Sequence, residues 1–234
     1  DRLQITEGIA LTGFLGTFDG ANGLTGDFIA TVNGAVPVRG AVVPLNGGSA
    51  VRILSDNAGA VIAAAGFLPN AEGGSFDLTL LPTGAEGTYD GSLSINTLRV
   101  RDAPALASLL NAISVVGLLQ QMAGQGLVFD EVLADFRIAP DRITVLSSSA
   151  VGAGLGISLD GIYTMADNRM DFQGVISPFY LINAVGAVLT RRGEGLIGFN
   201  FTLRGPLGQA AVAVNPLSVL TPGMFREIFR RPPP

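Results

Sequence analysis

A chain of 234 residues that is 48% hydrophobic and 14% charged carries more apolar surface than an ordinary soluble exterior shows, since about a quarter of a typical domain is charged. Its net charge of -5, with every basic residue an arginine, argues against a nucleic-acid partner, because phosphate contacts need clustered cations. The lack of cysteine and histidine removes disulfides, thiolate metal sites and the commonest general bases and nucleophiles.

The chain opens "DRLQITEG", with neither a basic start nor an apolar h-region, so any targeting segment is expected outside this sequence. Residues 1–50 read as a β-meander. Phe28, Ala30 and Val32 alternate with polar or small neighbours, and "DGANG" and "NGG" supply turns. From Val51 the pattern acquires helices. Asp56 is the expected cap of a short helix over Asn57–Ala65, which the Gly73-Gly74 turn follows. Phe76, Leu78 and Leu80 then alternate with Asp77 and Thr79, and Leu93 and Ile95 continue the apolar face after "PTGAEG". Such alternation marks antiparallel strands, since parallel strands covered on both faces are apolar throughout.

Leu98 and Val100 follow Leu93 and Ile95 out of phase by one residue, and Val132, Ala134, Phe136 and Ile138 follow Leu127 and Phe129 in the same way. A β-bulge at each slip would restore the apolar face and curve the sheet. Between these strands, Asp102 and Pro104 predict the start of a helix over Pro104–Met122. It carries Leu106, Leu109, Leu110, Ile113, Val116 and Leu119 over a wide arc, fit either to plug one end or edge of the sheet or to touch lipid. The uncharged stretch 103–129 is broken by Pro104, Ser108, Asn111, Ser114, Gln120 and Gln121, so it reads as buried helix rather than a membrane span.

Further strands are expected at Leu155, Ile157 and Leu159, at Met170 and Phe172 beside Arg169, Asp171 and Gln173, and at Phe199, Phe201 and Leu203 beside Asn200, Thr202 and Arg204. Ser177 and Pro178 predict a third helix over Pro178–Val188, closed by Gly193-Glu194-Gly195. The unit of strand, capped uncharged helix, paired-glycine turn and strand thus recurs three times. Thr221 and Pro222 open a last short helix, Pro222–Phe229. Met224, Phe225, Ile228 and Phe229 share one face, suited to close a greasy cavity or lie on a membrane surface.

Catalytic patterns are weak. Asp130, Glu131 and Asp135 read as a solvated strand surface, and Ser147, Ser148 and Ser149, without a partner base, as a loop or strand end. "GAGLG", Gly152 to Gly156, runs into a strand instead of the helix that phosphate binding requires. No metal site, cofactor or enzymatic activity is expected.

"VNPLSVLTPGMFREIF", with "DFQGVISPFYLINAVG" and "GEGLIGFNFTLRGPLG" before it, resembles the C-terminal region of the AsmA-like family, the AsmA, YhdP and TamB group. "SDNAGAVIAAAGFLPNAEGGSFDLTLLP" and the helix after Asp102 fit the same pattern, so the resemblance runs from Val51 to Phe229, strongest after Asp171, and assigns residues 51–234 to that region, while residues 1–50 match only as a generic meander. Family members often carry a further proline between the segments matching Asn183 and Gly193, and this chain has none there.

The resemblance implies a mainly β protein whose long, curved antiparallel sheet forms an open apolar groove, with a few short helices capping or lining it and residues 1–50 continuous with the same sheet. It implies the periplasmic part of a bridge-like lipid-transfer protein, tethered to the inner membrane by a segment outside this sequence. Its partners would be phospholipid or another acyl lipid, the membrane surface and outer-membrane proteins. The expected groove lining is Phe76, Leu78, Leu80, Leu93, Ile95, Ile157, Leu159, Phe172, Phe199 and Phe201, with Met224, Phe225, Ile228 and Phe229 as terminal lid or membrane contact. An outer-membrane β-barrel and a closed structural β domain of the envelope are the alternative readings. Three tyrosines and no tryptophan speak against the barrel's aromatic girdles.

Overall fold

A computed structural model of the protein describes residues 2–6, 9–178 and 198–220. Alternating apolar and polar residues between glycine-rich turns build β1 (Arg2–Thr6), β2 (Ile9–Asp19), β3 (Thr25–Val32), β4 (Val36–Leu45) and β5 (Gly48–Ser55). The helix α1 (Ala58–Ala64) precedes β6 (Ala71–Glu72), β7 (Ser75–Pro82) and β8 (Tyr89–Val100). Next come α2 (Pro104–Ala112), α3 (Val116–Ala123), β9 (Leu127–Ile138), β10 (Arg142–Val151), β11 (Leu155–Thr164) and β12 (Arg169–Pro178). β13 (Phe199–Pro206), β14 (Ala211–Asn215) and a 3-10 turn at Pro216–Leu220 complete the described chain.

The strands form one antiparallel 14-stranded sheet in which sequence neighbours pair in order from β1 to β14, with β6 set beside β8 in line with β7. β1 and β14 remain unpaired to each other, so the sheet does not close. The division between residues 50 and 51 falls inside β5, and the meander passes through it without a break in pairing.

All the described helices lie at one set of strand ends, where β5 leaves for α1 and β8 for α2, while turns such as Leu45–Gly48 and Ile138–Arg142 close the opposite ends. The helices bury apolar side chains against the sheet: Ala58 and Val61 from α1, Leu109 and Leu110 from α2, Leu118 and Met122 from α3. They join one apolar cluster that extends from Leu11 to Phe201, so the sheet curls around a shared interior. α2 also packs against β14, drawing the last strand toward the helices inserted between β8 and β9.

Several local expectations need correction. The cap of α1 is Asn57, whose side chain accepts from the Ala60 amide at 3.1 Å, whereas Asp56 pairs with Arg39. The expected helix over Pro104–Met122 is two helices, broken at Ile113–Val115, where Ser114 has φ 59°. Asp102 does not cap it; Ala103 occupies that position and no side chain satisfies the helix end. Ser177 and Pro178 belong to β12, where Pro178 pairs with Leu155, and the remaining residues of the third predicted helix lie outside the described residues. The terminal helix with Met224, Phe225, Ile228 and Phe229 lies outside them too.

The parity slips also have a different cause. β8 and β9 keep one register throughout: Asn96 faces Glu131 and Leu98 faces Phe129, with Thr97 and Asp130 between them. β6 and β7 likewise keep register along β8 across Gly73 and Gly74. Each strand therefore inserts a residue at the same level, with left-handed backbone at Thr97 (φ 61°) in β8 and at Gly73 (φ 70°) and Gly74 (φ 81°) between β6 and β7, while β9 follows in register. A true register shift occurs instead in β10, between Val145 and Ser149, which places Ser147, Ser148 and Ser149 within a strand at a bulge.

Candidate functional site: the apolar trough

Cross-strand register assembles the predicted lining residues into transverse rows on one face. Phe76, Ile95, Val132, Ala150, Ile157, Ile176 and Phe199 follow one another across the strands from β7 to β13. A second row runs Ile53, Leu78, Leu93, Ala134 and Ser148, and after the bulge resumes at Leu159, Gly174, Phe201 and Val214. The third holds Leu80, Gly91, Phe136, Val145, Gly161, Phe172 and Leu203. All ten expected lining residues thus share the inner face, although Phe76 and Phe199 stand far apart along the sheet.

Burial along this face is graded. Ile95 beneath the helices is 1% exposed, and Phe76, Phe172 and Phe201 are also buried. Leu78, Leu80, Leu93, Ile157, Leu159 and Phe199 are only half-buried although they point inward. Tyr89, Phe136, Ile138 and Ile143, nearer the turn ends of β8 to β10, are half-buried as well. A filled core would cover such side chains completely. The inner face therefore forms a trough, stoppered by α1 to α3 at the helical ends and incompletely covered beyond them. Among the described residues, no charged side chain belongs to these rows.

The outer face is different in each half of the sheet. From β4 to β9 it is wet and carries cross-strand ion pairs: Arg52 with Asp77 at 2.6 Å and Arg137 with Asp90 at 2.7 Å. Hydrogen bonds from these guanidiniums hold the Asp77 and Asp90 carboxyls below the usual carboxylate range. Exposed pairs of this kind contribute at most about 1 kcal/mol each, but Asp90 faces Arg137 directly in the ladder and so favours the correct register. Across β11 to β13 the outer face is exposed near the turns, where Arg204 pairs with Asp171 at 2.9 Å, but it is covered toward the helical ends. Gln173 and Asn200, expected on a wet face, are buried there with Ser158 and Asp160, and Gln173 Nε2 donates to Asp160 Oδ2 at 2.8 Å.

Asp130, Glu131 and Asp135 do not converge. Asp130 sits at the interruption, Glu131 faces Asn96, and Asp135 accepts from the Ser147 hydroxyl at 3.2 Å. Among the described residues no group of carboxylates could hold a metal ion. Gly152 to Gly154 make the short turn between β10 and β11, and no helix follows.

Sequence reasoning left out trough residues that its own patterns contained. Val132, Ala134 and Phe136 have the right alternation, but the slip at Asp130 hides their phase relative to Ile95. Gly91 carries no apolar signal at all; only register places it beside Phe136. No helix among the described residues is long and apolar enough to cross a membrane. Neither the known family models, nor the curated proteins, nor the solved structures include a match to this chain.

Proposed function

We propose that the trough carries the acyl chains of a lipid, and that the protein is a periplasmic segment of a bridge-like lipid-transfer system between inner and outer membranes. The supporting observation is the run of inward, uncharged side chains that stay half-buried, Leu78, Leu80, Leu93, Ile157, Leu159 and Phe199. An apolar surface held open in this way has its use in covering something apolar. A lipid tail in water costs about 0.8 kcal/mol per methylene, or roughly 10 kcal/mol for a dozen. A continuous trough offsets most of that barrier with no covalent step, nucleotide or cofactor. The resemblance of residues 51–234 to AsmA-like proteins supports the same assignment and supplies the periplasmic location, the inner-membrane tether and the outer-membrane partners.

The fully buried end beneath α2, where Leu110 is 0% exposed, favours a second reading: a closed structural domain whose core is loosely packed toward the turns. Native mass spectrometry and lipid extraction on the purified protein separate the two. Copurified phospholipid, lost from a folded Leu93→Asn variant, is the expected result. Protein free of lipid that also fails to take up a fluorescent fatty acid would leave the structural reading.

A further inference from the structure

Phenylalanine rings on the inner face lie over glycines of the neighbouring strand. A Cβ added at Gly40 would come within 2.3 Å of Phe28 Cζ, one at Gly161 within 2.6 Å of Phe172 Cδ1, and one at Gly174 within 2.7 Å of Phe201 Cζ. In these three cases the backbone also demands glycine. The same Cβ would stand 2.7 Å from the Arg52 carbonyl at Gly40 and 2.3 Å from the Asp171 carbonyl at Gly161. At Gly174 the Ser158 carbonyl is equally obstructive.

Gly91 differs. The three atoms nearest its Cβ would all belong to Phe136, Cε2 at 2.3 Å, Cζ at 2.4 Å and Cδ2 at 3.0 Å, so no backbone atom obstructs it more closely than that ring, and its φ is not in the left-handed region. No left-handed φ requires glycine there, and the Phe136 ring is the nearest obstruction to a side chain. What the missing side chain permits is that Phe136 lies down across β8. A reclined ring occupies about one carbon contact of depth, roughly 3.5–4.0 Å, where an upright one would project into the trough. Phe136 sits midway in the strand order but near the turn end of β9, between Gly91 and Val145 in the third row, and it is half-buried, so this ring forms floor that an occupant would touch.

We infer that Gly91 and Phe136 together set the depth of the trough toward its turn-side end and thereby determine which acyl chains it accepts, bulky or branched chains depending on the reclined ring. This rests on the lipid-carrying reading. Gly91→Ala lifts the ring and makes the trough shallower; Phe136→Ala deepens it; the double variant removes the clash and restores depth.

The test is competition of straight-chain and methyl-branched fatty acids against a fluorescent fatty acid, for the unaltered protein and the three variants, each checked for folding by thermal melting. Misfit of a methyl group in an apolar site is worth about tenfold or more in binding. Gly91→Ala is expected to weaken branched chains about tenfold relative to straight ones, with Phe136→Ala and the double variant reversing that preference. Equal weakening of all chains by Gly91→Ala, or branched-chain loss persisting in the double variant, overturns the inference. If the unaltered protein binds no fatty acid, the lipid-carrying reading itself fails and the inference with it. Should Gly91→Ala not fold, an unchanged chain preference in Phe136→Ala is sufficient to overturn it.

Discussion

The ring of Phe67, in the loop after α1, meets Tyr163 near the turn end of β11 edge to face, with centroids 6.5 Å apart and planes at 72°. Tyr163 belongs to the inner face, opposite Ile143 and Met170, and its hydroxyl is bonded to Asn168 at 2.9 Å. One aromatic pair therefore joins the helical insertion after β5 to a strand five places further along the sheet order. The sheet must curl for this to happen. At the same C-terminal end of α1, the Asn33 side chain donates to the Ala64 carbonyl at 2.7 Å and fastens the helix to the β3–β4 turn.

This contact should register as a coupling. Edge-to-face pairs contribute about 0.5–1.5 kcal/mol beyond their buried area, so a double-mutant cycle of Phe67→Ala and Tyr163→Ala is expected to return a coupling of that size in urea unfolding. Strict additivity would mean that the two halves do not meet in solution.

Stopper and trough should respond differently to truncation. Leu110, fully buried under the sheet, is expected to lose about 2–5 kcal/mol on Leu110→Ala. Leu93 is only half-buried, so Leu93→Ala should cost clearly less. Equal losses in chemical denaturation would point to a sealed core along the whole face.

The interruption in β8 offers a backbone test. Thr97 is β-branched at φ 61°, where a non-glycine residue is strained by about 1–2 kcal/mol. Relief of that strain is partly offset by the unfolded-state entropy of glycine, so Thr97→Gly should be neutral or stabilising by up to about 1 kcal/mol. Gly74→Ala should destabilise, because Gly74 has φ 81° and its new Cβ would lie 2.7 Å from the Asn96 carbonyl. Urea midpoints measure both, and a marked loss in Thr97→Gly would remove the strain argument.

Acid should act late. Asp77 and Asp90 have lowered pKa values because Arg52 and Arg137 hydrogen-bond to their carboxylates. Such groups add stability above the unfolded carboxylate pKa of about 3.9, and that stability is lost as pH falls through the lower folded value. With no histidine or cysteine in the chain, urea stability is expected to be flat between about pH 6 and 8 and to drop below about pH 4. The drop should be shallower in Asp90→Asn and in high salt. A midpoint that moves between neutral pH and about pH 6 would require a titrating group other than these pairs.

Replacing Asp130, Glu131 and Asp135 together with Asn, Gln and Asn should leave acyl-chain binding near normal, since these side chains do not converge and the inner rows lack them. Lost binding in a variant with an unchanged melting temperature would expose a role for that edge of β9.

Side-chain period by itself determined the strand class, the antiparallel pairing and the membership of the inner face, because apolar and polar residues alternate with the pleat. Phe76, Leu78 and Leu80 on β7 could be assigned a common face with no knowledge of a neighbour. Helix interiors were legible for the same local reason, but their ends were not. Asn57 and Asp56 are both competent caps, and the choice fell to Asn57 because Arg39 on β4 engages Asp56. The break at Ser114 and the strand identity of Pro178 depended likewise on what packs or pairs beside them. The slips in β8 and β9 were visible as sequence, yet whether they were separate bulges or one shared interruption is a property of the register on either side of Thr97 and Asp130, residues far apart in the chain. Only tertiary structure could bring Gly91 beneath Phe136 or Phe67 to Tyr163, since register and curl are set by the whole sheet and no local pattern encodes them.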